Sequence, residues 1–340
     1  MNPRFAVPTL KPRVAPAYRL VPDGYVDPVS AFVAIVRDRS GTRGLADHVR
    51  EHLTALRALL RSSGGVLLRG FAVETPQQFR DAVAAFAQDP LPYLERAAAR
   101  SEVAPGVFTS TEFSSRHWID LHHEMSFAQR LPEHIFFYAH TLAESGGHTP
   151  LADERLCTAR LDPAILQAFA QRDVLYVRNY RPEVDMDWRS AFQTRDRAEV
   201  ESYCRANGIA WNWLGPEHLR TQQRQKAFVL EPHTDRMLFC NHAHMFHSAA
   251  LDPTLLSALV EAYGLDNLPR NVRFGDGSPI PDDMVHQIRA VHQDCMRSFP
   301  WEPHDVLVLH NPRCLHGRAP FTGQRTTLVS MTNLIDRRVR

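Results

Sequence analysis

Apolar residues at Leu45, Val49, Leu53, Leu56, Leu59 and Leu60 recur at the spacing of one helix face, which predicts an amphipathic helix over 45–60. Gly64 and Gly65 stop it, and Val66 to Phe71 reads as a buried strand. Thr75 then offers a cap, with Pro76 in the first turn, for a second helix running to Phe86. Further on the period changes. Strands are predicted at Ile135–Ala139, Val174–Val177, Trp211–Leu214, Phe228–Leu230, Leu238–His244, Asp305–Leu309 and Arg325–Asn333, with helices only over 161–172 and about 195–207. Many short strands with turn punctuation and a few helices predict an α+β chain with a mainly β core, a barrel or sandwich backed by helices. Residues 1–40, with prolines at 3, 8, 12 and 16, read as an irregular lead-in, and 41–340 as one domain.

One further strand is predicted at Ile119–Met125. Ile119, Leu121 and Met125 fall on one face, and Asp120, His122 and Glu124 on the other. His122 and Glu124 therefore point the same way, and His123 is the filler between them. A third ligand from a distant strand would complete the 2-His-1-carboxylate face that holds non-heme Fe(II) with open positions. His316 is the residue that answers. Pro320 and Gly323 suit a reversal that returns Arg325 to its side, where a guanidinium can grip a carboxylate such as the remote one of 2-oxoglutarate.

Composition changes little in this picture. Lys plus Arg (39) against Asp plus Glu (38) in 340 residues gives no reason to expect nucleic acid or a membrane surface as partner. Five scattered cysteines without a C-x-x-C pair predict reduced thiols and a cytoplasmic protein, and no apolar run of signal or spanning length stands at the N-terminus. The basic end, Arg337 to Arg340, reads as a solvated tail. Cys240, His242, His244 and His247 offer a rival metal site, since the first three would share a face of the predicted strand; the preferred reading is a histidine-rich strand flanking the pocket. No glycine elbow around a nucleophile and no phosphate-cradling loop is present.

Taken together, His122-x-Glu124, Gly146-Gly147-His148-Thr149, and His316 followed by Arg325 resemble the taurine catabolism dioxygenase (TauD/TfdA) family of Fe(II)/2-oxoglutarate oxygenases, over about Gly64 to Asn333. The resemblance implies a double-stranded β-helix (jelly-roll, cupin-like) fold. It implies metal ligation by His122, Glu124 and His316, and binding of the outer 2-oxoglutarate carboxylate by Thr149 and Arg325. It also implies O2 as second cosubstrate, release of succinate, and oxidation of a substrate C–H. Related halogenases carry a small residue in place of Glu124, so hydroxylation or desaturation is expected.

Arg69-Gly70-Phe71, the stretch from Leu121 to Ser126, Phe274 to Ile280, and His316 to Arg318 with Pro320-Phe321 are most similar to the syringomycin-type and clavaminate-synthase-like branch. That branch acts on amino acids, free or tethered to a carrier protein. The small-molecule substrate is then an amino acid or derivative, and an acidic carrier protein is the partner in the tethered version. Candidate substrate contacts are Arg96, Arg100, Trp118, Asn241 and Arg318. The branch commonly has Asp-Asn before the distal histidine; here His310-Asn311 removes a carboxylate near the site. A metal-binding barrel that senses or binds without catalysis is the alternative of a different class.

Overall fold

The computed structural model describes residues 19–20, 32–87, 91, 93–111, 113–182, 184–232 and 234–337. Its core is a seven-stranded sheet whose centre is Arg130–Thr141, flanked by Val306–His310 and Thr326–Asp336. These strands alternate, and the alternation decides what covers each face. Val66, Leu68, Phe136, Tyr138, Val306, Val308 and Leu328 face the helices Leu45–Ser63 and Pro76–Phe86. Leu67, Ile135, Phe137, Leu307, Leu309, Val329 and Met331 face inward, where they pack with Leu151 and Cys314 from a second sheet and with Phe299.

The second sheet has five strands, and its last three, Leu151–Asp153, Cys314–Arg318 and Ile119–His122, run side by side. Two facing, mainly antiparallel sheets with helices packed against them make the jelly-roll architecture expected of the sequence. A third sheet, of four strands including Val174–Tyr180 and Leu219–Gln225, is packed with its own helices beside it. Among the described residues no helix is long and apolar enough to cross a membrane.

Both N-terminal helices form for the reasons seen in the chain. The first ends at Gly64, whose N–H reaches the Leu60 carbonyl; the second starts in a capping box, Thr75 accepting from the Gln78 N–H while Gln78 accepts from Thr75.

Several expectations need correction. Of the lead-in, 1–18 and 21–31 lie outside the described residues, but Ala34–Arg37 is a strand paired parallel to Gly65–Arg69, so regular structure starts before residue 41. The strand expected over 238–244 is only Met237–Leu238; the chain then turns into a short helix, Ala243–Phe246, and Cys240, His242 and His244 share no strand face. Helices Glu154–Arg160, Pro253–Tyr263 and Asp282–Cys295 and strands Leu219–Gln225 and Arg270–Phe274 were not expected. Arg337 is no solvated tail: it is buried and donates to the carbonyls of Ser126, Ala128, Lys226 and Cys240. Residues 338–340 lie outside the described residues.

Arg69, from one of the stretches that carry the resemblance, has a structural task. Its guanidinium forks onto both oxygens of Asp305 (2.7–3.1 Å), with both side chains almost fully buried, and reaches the Pro300 carbonyl. Removing one partner of a buried pair leaves the other charge uncompensated, so Arg69→Ala is expected to cost about 3–5 kcal/mol of stability. A urea midpoint shift worth less than about 1 kcal/mol would contradict this role for the pair.

Candidate active site

The strand Cys314–Arg318 lies between its two neighbours so that His316 stands directly across from His122 in the antiparallel register. Contact here is close. A Cβ on Gly317 would come within 2.5 Å of the Ile119 carbonyl oxygen, so the residue after His316 must be glycine for the two strands to meet. The strand Ile119–His122 ends at the first histidine, and Glu124 follows in a turn rather than on the strand. It still arrives beside the imidazoles. Ligand atoms of His122, Glu124 and His316 all lie within 4.8 Å of one another, with His316 Nε2 to Glu124 Oε2 at 3.9 Å and the two rings 4.5 Å apart. His123 turns away and is buried against Glu154, Nε2 to Oε2 3.6 Å.

Each member of the cluster is held by something else. The Nδ1 of His122 pairs with the Asp120 carbonyl at 2.8 Å, which fixes the ring and leaves Nε2 for a ligand. Glu124 accepts from Arg100 at 2.7 Å on Oε2 and from the Tyr93 hydroxyl at 3.2 Å on Oε1. Its backbone is clamped by the side chain of Asn311, which accepts from the Glu124 N–H (2.8 Å) and donates to the carbonyls of Glu124 (3.0 Å) and Pro132 (2.9 Å). The next residue, Met125, sits at φ +54°, a left-handed conformation that a branchless non-glycine side chain tolerates only when its surroundings hold it.

Asn311→Ala would leave buried peptide groups unpaired, an expected loss of about 2–3 kcal/mol. It would also loosen Glu124, with Fe(II) affinity falling about 10–100-fold. A variant that loses stability yet binds Fe(II) as tightly as the wild type would show that the clamp does not reach the metal site.

Electrostatics set the protonation states. Burial opposes ionisation of Glu124, but Arg100, then His316 and His122, outweigh it and bring the carboxyl to about 2. Burial first, and for His316 the neighbouring His122 next, push both imidazoles below their ordinary range. Burial, then the Glu124 charge, pushes the Tyr93 hydroxyl up to about 12, so it remains a donor. One carboxylate and two neutral imidazoles on one side of a small space is the protonation state and donor set that a divalent ion requires, and it fits the facial triad of non-heme Fe(II).

Beside the cluster lies a cavity of about 40 Å3, lined among others by Arg100, Thr111, Phe137, Thr149, Arg318 and Arg325. Thr149 accepts from the Trp301 indole N–H at 3.1 Å, which aims its hydroxyl proton elsewhere. Arg325 is brought here by the predicted reversal and donates through Nε to the Gly147 carbonyl at 3.1 Å. Gly147 has φ +69°, and a Cβ on it would press on the Arg325 side chain at 3.0 Å. Burial first, then Arg318, lowers Arg325 to about 10, so it is charged at neutral pH, and it has no ion pair among the described residues. A buried cation of that kind, facing a cavity with a hydroxyl donor beside it, calls for an anion.

The five candidate substrate contacts separate. Arg100 lies at the cluster, with Nε and Nη1 buried and unpartnered. Arg318 lines the cavity but spends its guanidinium on the carbonyls of Phe113, Ser114 and His117, tying that loop to the sheet. Trp118 lines a different, neighbouring cavity. Arg96 and Asn241 do not belong to the site: Arg96 donates to the carbonyls of Tyr93 and Arg100, and Asn241 donates to the Ala227 carbonyl and accepts from the Ala243 N–H. The rival metal site disperses too, with His242 on the Ser126 hydroxyl, His244 on the Leu121 carbonyl and His247 on the Ile280 carbonyl.

Tyr93, Trp301 and Asn311 are the site residues that sequence reasoning missed. Tyr93 lies in a stretch without any period, and Trp301 precedes the strand Val306–His310 with no mark of its role. Asn311 was visible only as half of an altered dipeptide.

A family model described as taurine catabolism dioxygenase TauD, TfdA family matches residues 34–332. Dapdiamide synthesis protein DdaC of Enterobacter agglomerans is 39% identical over 273 residues, 80% of this chain and 83% of that protein. A clavaminate synthase-like protein of Arabidopsis thaliana is 32% identical over 288 residues, 81% of this chain and 83% of its own. Among solved structures, the PvcB protein from Pseudomonas aeruginosa superimposes with a TM-score of 0.51 at 15% identity, covering 88% of this chain and 85% of the other, which is a likeness of fold. The chain belongs to the taurine catabolism dioxygenase TauD/TfdA family and is an Fe(II)- and 2-oxoglutarate-dependent dioxygenase.

Proposed function

We propose that His122, Glu124 and His316 hold the Fe(II), that Thr149 and Arg325 bind the remote carboxylate of 2-oxoglutarate, and that the enzyme hydroxylates an amino acid or amino-acid derivative. The observation that carries the assignment is the convergence of the three ligand groups within 4.8 Å, next to a buried arginine with no ion pair among the described residues. When bound, Fe(II) with 2-oxoglutarate and O2 supplies the oxidation of a substrate C–H, as 2-oxoglutarate loses CO2 and becomes succinate.

The chain's own residues do the rest. His122, fixed by the Asp120 carbonyl, and Glu124, fixed by Arg100, Tyr93 and Asn311, present donors in a geometry settled before any ligand arrives. Arg325 and Thr149 orient the cosubstrate from its far end. Arg100 is a positioning residue for Glu124, and its remaining unpartnered N–H groups make it the best placed of the candidate substrate contacts at the cluster. Names of the relatives, one a dapdiamide synthesis protein and one clavaminate synthase-like, support an amino-acid-related substrate in biosynthesis.

Succinate release from 2-oxoglutarate in the presence of Fe(II), screened against free amino acids and against aminoacyl groups loaded on a carrier protein, tests the proposal and separates its free and tethered versions. Succinate formation stimulated by one of these supports it. If 2-oxoglutarate binds but is consumed with none of them, the amino-acid substrate proposed here is wrong.

A further inference from the structure

The cavity beside the metal ligands, about 40 Å3, has room for about three water molecules at roughly 10–15 Å3 apiece. A dicarboxylate cosubstrate does not fit such a space, so one wall must give way before it enters. Most of the lining is fixed. Ile119, His122, Phe137, His316, Thr327 and Val329 stand on strands paired within the two facing sheets. Thr149 is held by Trp301, Arg100 by Glu124 and Arg325 by the Gly147 carbonyl.

Arg318 is the exception. Its side chain lines the cavity, and its guanidinium donates to the carbonyls of a single surface segment: Phe113 (2.9 Å), Ser114 (2.6 Å) and His117 (3.1 Å). Little else holds that segment. Among the described residues one further backbone bond, from the Phe321 N–H to the Ser115 carbonyl at 2.9 Å, ties it to the body of the protein. No residue of Phe113–His117 is buried, and Phe113 is 52% exposed. The closed arrangement also carries a cost of its own. Nε of Arg318 is buried with no hydrogen-bond partner among the described residues, and the guanidiniums of Arg318 and Arg325 gather at the same Phe321 ring, 5.2 and 5.5 Å from its centre. Release of the segment hydrates the first and separates the second.

Resting on the function proposed above, we propose that Arg318 and the segment Phe113–His117 form the gate of the metal cavity. The segment swings out together with the Arg318 side chain, 2-oxoglutarate enters, and the three carbonyls recapture the guanidinium behind it. Arg318 is thus a positioning residue, acting through the segment it latches. The strand beneath stays in place, because Gly317 is packed against the Ile119 carbonyl and His316 lies across from His122. A surface segment with few buried contacts belongs to the least stable part of a fold, and gates of this kind open on the microsecond to millisecond scale.

Two measurements on the full chain test the gate. In the first, 2-oxoglutarate is mixed anaerobically with the Fe(II)-loaded protein, and the rise of the visible Fe(II)/2-oxoglutarate absorption is followed by stopped flow. The observed rate is expected to level off as 2-oxoglutarate increases, since opening limits entry. Arg318→Met, which keeps the bulk and removes the donors, should raise that plateau at least about tenfold. In the second, trypsin cleavage after the exposed Arg116 is timed, and the same substitution should speed it at least about tenfold, because cleavage follows the population of the open segment. A wild-type rate that climbs in proportion to 2-oxoglutarate without a plateau overturns the proposal, and this result stands even if Arg318→Met fails to fold. So does a plateau, or an Arg116 cleavage rate, that Arg318→Met leaves unchanged. If the wild type shows no absorption at all, the function proposed above has failed and the gate for 2-oxoglutarate with it; the other outcomes, with the absorption intact, are failures of the gate alone.

Discussion

Arg325→Ala is expected to raise the 2-oxoglutarate concentration for half-maximal turnover by roughly 100-fold, the equivalent of about 3 kcal/mol for truncating one partner of a buried, charge-assisted pair. The size follows from where the arginine is. It is held by the Gly147 carbonyl on one side, lowered by burial and by Arg318 only to about 10, and carries no ion pair among the described residues. Arg325→Lys keeps the charge but not the planar fork, and should lose about tenfold. Because the proposal places Arg325 on the cosubstrate and not on the reacting carbon, the loss should fall on the KM for 2-oxoglutarate, and saturating cosubstrate should restore much of kcat. A change below about threefold in that KM would remove Arg325 from the site.

Glu124→Ala is expected to have the second large effect, and it has two parts. One of three protein ligands is lost, so Fe(II) affinity should fall by more than the roughly 10–100-fold that the loss of a mere orienting contact brings. The other part concerns the fold. Arg100 is paired with Glu124 at 2.7 Å with both side chains almost wholly buried, and truncating the carboxylate strands its charge at a cost of about 3 kcal/mol.

The two parts can be separated. Glu124→Ala combined with Arg100→Met should regain most of the stability without regaining the metal, as read by urea unfolding and by Fe(II) titration. Wild-type iron affinity in Glu124→Ala would contradict the ligand assignment.

Local rules reached far in this chain where packing agrees with them. Thr75, Pro76 and Gln78 carry everything needed to start their helix, and the inward and outward apolar residues of Val66–Leu68 and Val306–Leu309 alternate as a covered strand must. They fail where the inside is polar. Leu219–Gln225 buries Thr221, Gln223 and Gln225, with Gln223 donating to Glu95, so its inner face shows no hydrophobic period. The helix Asp282–Cys295 buries Arg289 and His292 among its apolar residues, which hides its stripe in the same way.

Histidine density misled at 240–244, where it followed a two-residue strand into a helical turn. That His122, Glu124 and His316 converge, with Thr149 and Arg325 at the cavity beside them, was legible because chemistry restricts which residue types suit the tasks proposed for them. Tyr93 and Asn311 were not, since each acts through a contact between segments far apart in the chain.

The most direct measurement is anaerobic addition of Fe(II) and then 2-oxoglutarate to the apo-protein, followed by visible absorption. A metal-to-ligand charge-transfer band that saturates with one iron per chain, is lost in His316→Ala and Glu124→Ala, and needs far more 2-oxoglutarate in Arg325→Ala is the result predicted. Absence of the band from the wild type, or an unchanged band in Glu124→Ala, would contradict the assignment of His122, Glu124 and His316 as the iron site.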